Sequence, residues 1–188
     1  MTTLLYVVGA LVALLAIYPA IPILAATWRR YHGTSIITCP ETCQPAAVEV
    51  NAVRAALTLL VGRIPDLRLS DCSRWPERRG CGQECLSQIE AAPEDCLVRS
   101  MLGRWYAGKT CVLCGQSVGE RDWLQHRPAL MNPDRKTFEW RDVPPETLPS
   151  VLASSQPVCW NCHVAECFRR EFPDLVTDRT PQTHEQHR

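Results

Sequence analysis

The sequence predicts an α+β protein: a single N-terminal transmembrane helix, then a small cysteine-rich domain with two metal-clamped subregions. Three observations carry this expectation. Residues Met1–Trp28 contain no charged side chain. All eleven cysteines of the 188-residue chain lie from Cys39 onward. Between the cysteines, short stretches that alternate apolar and polar residues give way to stretches that repeat at three and four, the periods of strand and helix. An odd number of cysteines excludes a complete set of intramolecular disulfides, and disulfide frameworks with even counts belong to much shorter secreted chains. Thiolate metal sites with a few spare thiols fit the count.

The apolar run from Leu4 to Ala26 exceeds the roughly 20 residues that cross a bilayer core as a helix. Its leading flank lacks the basic side chains of a signal peptide. Trp28 and Tyr31 follow as interfacial aromatics, and Arg29 and Arg30 form the positive flank. Residues 1–28 are therefore expected to anchor a single-pass membrane protein, with its C-terminal domain in the cytoplasm.

Residues 29–108 are expected to form a first Cys-rich subdomain. Ile36-Ile37-Thr38 leads into Cys39-Pro40-Glu41-Thr42-Cys43, which reads as a short strand ending in a knuckle turn. Ala47–Asn51 alternates as a second strand. From Asn51, Val53, Ala56, Leu57, Leu60 and Val61 mark the face of a buried helix, which Gly62 and Pro65 end. Leu67–Cys72 alternates again. Cys81 and Cys85 stand at i and i+4, so in one helix both sulfurs would share a face. Cys39, Cys72, Cys81 and Cys85 form a candidate four-cysteine site, with Cys43 able to replace one of them. Pro93-Glu94-Asp95 opens a bridging helix through Trp105 that Gly108 ends.

Residues 109–176 carry two Cys-x-x-Cys pairs, the spacing of a tetrahedral thiolate site. Cys111-Val-Leu-Cys114-Gly115 has the form of a zinc knuckle, in which glycine permits the tight turn. Residues 115–158 form an insertion rich in proline and aromatic residues. Within it Thr137–Arg141 reads as a strand, and Pro144–Leu152 as a helical turn. Pro157-Val158 then delivers Cys159-Trp-Asn-Cys162-His163, the start of a helix whose face is Trp160, Val164, Cys167, Phe168 and Phe172. Cys159 and Cys162 lie in its first turn, where the positive end of the helix dipole favours thiolates. A knuckle paired with a helix-borne Cys-x-x-Cys resembles the zinc-ribbon and treble-clef zinc fingers. The resemblance rests on Cys111, Cys114, Cys159 and Cys162 and implies a closed zinc site there. Cys159, Cys162 and His163 also spell the attachment motif of haem c, which would leave Cys111 and Cys114 without partners. His126 is an alternative ligand, and with zinc bound His163 is expected to stand outside the ligand set, beside it or at the surface. The tail 177–188 is polar without an apolar face and is expected to be disordered.

Lys and Arg total 20, as do Asp and Glu, so no nucleic-acid partner is expected on charge grounds. No nucleophile elbow, P-loop, dinucleotide fingerprint or His-Glu-x-x-His is present. The expected function is a membrane-anchored zinc protein with two sites, structural or protein-interacting, contacting its partner through residues 115–158. The alternatives are an electron-transfer or redox protein holding an iron–sulfur cluster or haem c, and an accessory subunit of a larger membrane complex.

Overall fold

The computed structural model describes residues 6, 7, 9, 11, 15, 18–62, 64–75, 77, 80–118 and 128–175. It divides into two compact units, the first built from Met1–Arg104 with Pro144–Thr147, the second from Trp105–Val143 with Leu148–Arg188.

The first unit opens on helix α1, Ala20–Tyr31, which starts behind Pro19 and ends with Arg29 and Arg30 in its last turn. Cations there complement the helix dipole. The membrane anchor expected over 1–28 is overturned. Among the described residues no helix is long and apolar enough to cross a membrane. The 12 residues of α1 extend for only ~18 Å, against the ~30 Å of a hydrocarbon core. Its buried residues are Thr27 and Tyr31, and it packs along helix α2, Ala52–Gly62. Most of the run before Tyr18 lies outside the described residues. The single-pass topology and the cytoplasmic placement deduced from the anchor's flanks fall with it.

Strands β1 (Thr34–Thr38), β2 (Pro45–Val50) and β3 (Leu69–Cys72) form an antiparallel sheet in the order β1-β2-β3. β2 buries alternate residues, with Ala46 and Val48 at 0% and 1% exposure. They join Ile37, Leu69 and Ile89 in the core of this unit. Helix α2 buries Ala52, Ala55 and Ala56, whereas Val53, Leu57, Leu60 and Val61 are exposed. Of the expected buried face only Ala56 lies inside. The helix turns its alanines inward, and the large apolar residues point outward.

Two further expectations change. Cys81 and Cys85 share no helix, because Gln83 adopts a left-handed backbone and helix α3 (Leu86–Ala91) begins only after Cys85. The bridging helix is broken into α4 (Pro93–Cys96) and α5 (Val98–Tyr106) by an extended Leu97. The backbone of Leu97 forms a β-bridge with Ser35, and its side chain is almost fully buried. A bridge to the sheet and a buried leucine outweigh one more turn of helix.

In the second unit, β4 (Ala129–Met131) lies between β5 (Thr137–Phe138) and β6 (Gln156–Val158), antiparallel to both. The expected strand 137–141 stops at Phe138 and continues as a 3-10 turn, Trp140–Asp142. Helix α6 (Leu148–Ser154) leads to β6, and α7 (Trp160–Glu171) follows. The buried Tyr106 hydroxyl donates to the Ala129 carbonyl at 2.8 Å, fixing the end of α5 to the central strand. Burial holds its pKa far above the ordinary phenol value. The expected tail 177–188 and His126 lie outside the described residues.

Candidate metal centre

Cys111 enters a turn closed by two backbone hydrogen bonds. Its N–H donates to Gln116 O, and its carbonyl accepts from Gly115 N–H, both at 2.8 Å. Gly115 sits at φ +73, a conformation that glycine adopts without strain. Val112 N–H donates to Pro157 O at 3.0 Å, which fastens the turn to β6. β6 in turn delivers Cys159 as the N-cap of α7, and Cys162 lies within its first turn.

These elements bring the sulfurs of Cys111, Cys114, Cys159 and Cys162 within 4.8 Å of one another. Cys114 Sγ stands 3.7 Å from Cys159 Sγ, close to the ~3.8 Å edge of a tetrahedron with metal–sulfur bonds of ~2.3 Å. No cysteine is in a disulfide among the described residues. The four cysteines form a cluster able to hold a metal ion. No protein family matches the chain, and no curated protein or solved structure is significantly similar to it. The chemistry of the centre must therefore be read from its own donors.

The electrostatics are those of a thiolate nest. Burial raises the Cys111 thiol, but N–H groups of Cys159, Cys114 and Leu113 directed at its sulfur outweigh burial and bring its pKa to about 7. Burial raises Cys159. It also raises Cys162, with the sulfurs of Cys159, Cys114 and Cys111 adding to the effect. One thiol ionises readily, and its neighbours resist further negative charge until a cation enters.

His163 is buried, and both its ring nitrogens lie 3.7 Å from Cys167 Sγ. Burial lowers its pKa, opposed mainly by Glu139. The same Cys167 sulfur accepts from Arg170 at 3.2 Å, and Arg170 also donates to Thr137 O at 3.0 Å. This cluster ties α7 to β5 beside the centre. The sequence pattern marks Val164, Phe168 and Phe172 as the inner face of α7, yet they are 42–46% exposed and His163 is the buried residue. A histidine whose polar partners come from its own helix turn has no signature in hydrophobic periodicity.

The other four candidate ligands behave differently. Cys39, Cys72, Cys81 and Cys85 line one cavity of about 130 Å³, but they do not converge as the first set does. Burial raises Cys85, and the charges of Cys72 and Cys81 add to it. Cys39 is lowered, first by the Thr42 hydroxyl and then by the Thr42 N–H. Cys43 is exposed, with its thiol toward Pro40 O at 4.0 Å, and takes no place in the cavity lining. The Cys96 thiol instead faces Gln88 O at 3.8 Å.

Proposed function

We propose that Cys111, Cys114, Cys159 and Cys162 hold a structural zinc ion, and that the second unit is a zinc-clamped, treble-clef-like interaction module rather than an enzyme. The convergence of four sulfurs carries this reading. Four protein ligands leave no open position for water or substrate, as structural zinc sites do not and catalytic sites do. Bound zinc would supply the charge that lets all four thiols ionise, and would join the knuckle to the N-terminus of α7. The elements it joins are short: β4 has three residues and β5 two. Strands of that size bury little surface without a clamp.

Haem c is the weaker reading of Cys159, Cys162 and His163. Covalent attachment would take both sulfurs away from Cys111 and Cys114, and His163 is buried beside Cys167. A partner protein is best served by the groove beside the knuckle. It measures about 730 Å³ and its lining includes Val112, Leu113, Met131 and Arg135. Val112 and Leu113 are 46% and 44% exposed at its rim.

Elemental analysis together with a visible spectrum of the purified full chain tests the proposal. Zinc without visible absorption supports it. Stoichiometric iron with strong visible bands replaces it with electron transfer, and a chain that folds and stays folded free of metal overturns it.

A further inference from the structure

The turn after β1 repeats the backbone geometry of the metal knuckle. Cys39 N–H donates to Gln44 O at 2.9 Å, and Cys43 N–H donates to Cys39 O at 2.8 Å. The same two bonds, at the same spacing, close Cys111–Gln116. The fifth residue is left-handed in both turns: Cys43 at φ +53 and Gly115 at φ +73. In both, the sulfur of the first cysteine receives the N–H groups of the third and fourth residues, Glu41 and Thr42 in one turn, Leu113 and Cys114 in the other. N–H groups aimed at sulfur are the outer support of a thiolate ligand. Thr42 occupies the position of Cys114, so this knuckle offers one thiol rather than two, and the remaining donors must come from elsewhere.

The fold supplies them. β1 and β3 flank β2, each antiparallel to it, so they run in the same direction; Cys39 follows the end of β1 and Cys72 closes β3. Two glutamines fasten the stretch from Cys81 to Gln88 to the sheet. Gln88 bonds both backbone groups of Thr38, accepting from its N–H at 3.0 Å and donating to its carbonyl at 2.7 Å. Gln83 accepts from Leu69 N–H at 3.1 Å. The space they enclose is the cavity lined by all four cysteines. Thr42 also lines it, with its hydroxyl turned to the Cys39 sulfur.

We propose that Cys39, Cys72, Cys81 and Cys85 are the thiolate ligands of a second metal ion, a divalent thiophilic cation of the zinc class, held within the first unit independently of the Cys111 centre. Binding exchanges four thiol protons for one divalent cation, with no change of oxidation state. The sulfurs draw together around the ion, and the left-handed Gln83 gives the Cys81 arm its bend.

The test loads the purified full chain with zinc, removes the excess, counts metal per chain and maps thiol alkylation by mass spectrometry. Two zinc ions per chain are expected. Cys39, Cys72, Cys81 and Cys85 should be protected until a chelator is added, while Cys43 is alkylated throughout. Cys81→Ser should lower the count to one and leave Cys111, Cys114, Cys159 and Cys162 protected. Cys162→Ser should lower it to one with the opposite pattern. If Cys81→Ser does not fold, the protection map of the unsubstituted chain decides. A single zinc ion with Cys39, Cys72, Cys81 and Cys85 freely alkylated overturns the second site and leaves the first intact. A single ion with only those four protected upholds it and refutes the Cys111 centre. A disulfide among the four in freshly purified protein also overturns it.

Discussion

At the scale of single residues, the thiols of the Cys111 centre differ in how far they are prepared for a cation. Cys111 sits near neutrality, whereas Cys159 and Cys162 are raised above the ordinary thiol range. The sign for binding follows directly. Raised pKa values keep those two thiols protonated at pH 7, the metal must displace their protons, and acidification therefore favours the metal-free form. The logarithm of metal affinity should rise with pH at a slope of ~2 or more between pH 6 and 8. Competition with a chelator of known proton affinity, run across that range, measures the slope; a flat profile would show that the thiols are already ionised. The pairing of these cysteines is legible in the sequence because each Cys-x-x-Cys is local and complete in itself. The His163–Cys167–Arg170 cluster is not legible, because it depends on which face of α7 turns inward. That choice rests on packing with β5, two residues long and distant in the chain.

At the scale of elements, turns and breaks decide where the thiols stand. Gly115 has open space where a Cβ would go, but its φ is +73. Gly115→Ala should therefore cost about 1–2 kcal/mol through backbone conformation alone. It would appear as a lower denaturation midpoint with the zinc count unchanged. Leu97 interrupts the α4–α5 path at 1% exposure. Leu97→Ala should destabilise the first unit by about 2–5 kcal/mol, read by chemical denaturation. Strands β1, β2 and β3 can be located from their alternation and from the cysteines that follow β1 and close β3. The inner face of α2 cannot. A helix carrying both large apolar residues and alanines has two candidate faces, and close approach of α1 favours the small one. The same ambiguity misleads at the amino terminus. An uncharged run satisfies the length rule for a membrane span, but Pro19 starts a new helix there and Thr27 and Tyr31 make it a packing element. The break at Leu97 is set by a backbone bridge to Ser35, a contact across 62 positions that no local pattern announces.

At the scale of the whole molecule, each unit is a small assembly of short elements that carries one set of four candidate ligand cysteines. Stability should then follow metal content. Adding a strong chelator to the zinc-loaded chain should abolish hydrogen-exchange protection in β4, β6 and α7, and restoring zinc should return it. Retained protection in those elements after metal removal would show that their packing suffices. The units are also unequal in chain order. The first is completed only by Pro144–Thr147, so a fragment ending at Arg104 lacks one of its parts. The insertion between Cys114 and Cys159 has a counterpart in time. At a synthesis rate of ~5–20 residues per second, the 45 positions from Cys114 to Cys159 separate the emergence of the two thiol pairs by roughly 2–9 seconds. Throughout that interval the nascent chain presents half a binding site, with Cys111 and Cys114 open to any oxidant or stray metal that arrives first and the Cys159 N–H that helps to ionise Cys111 not yet made.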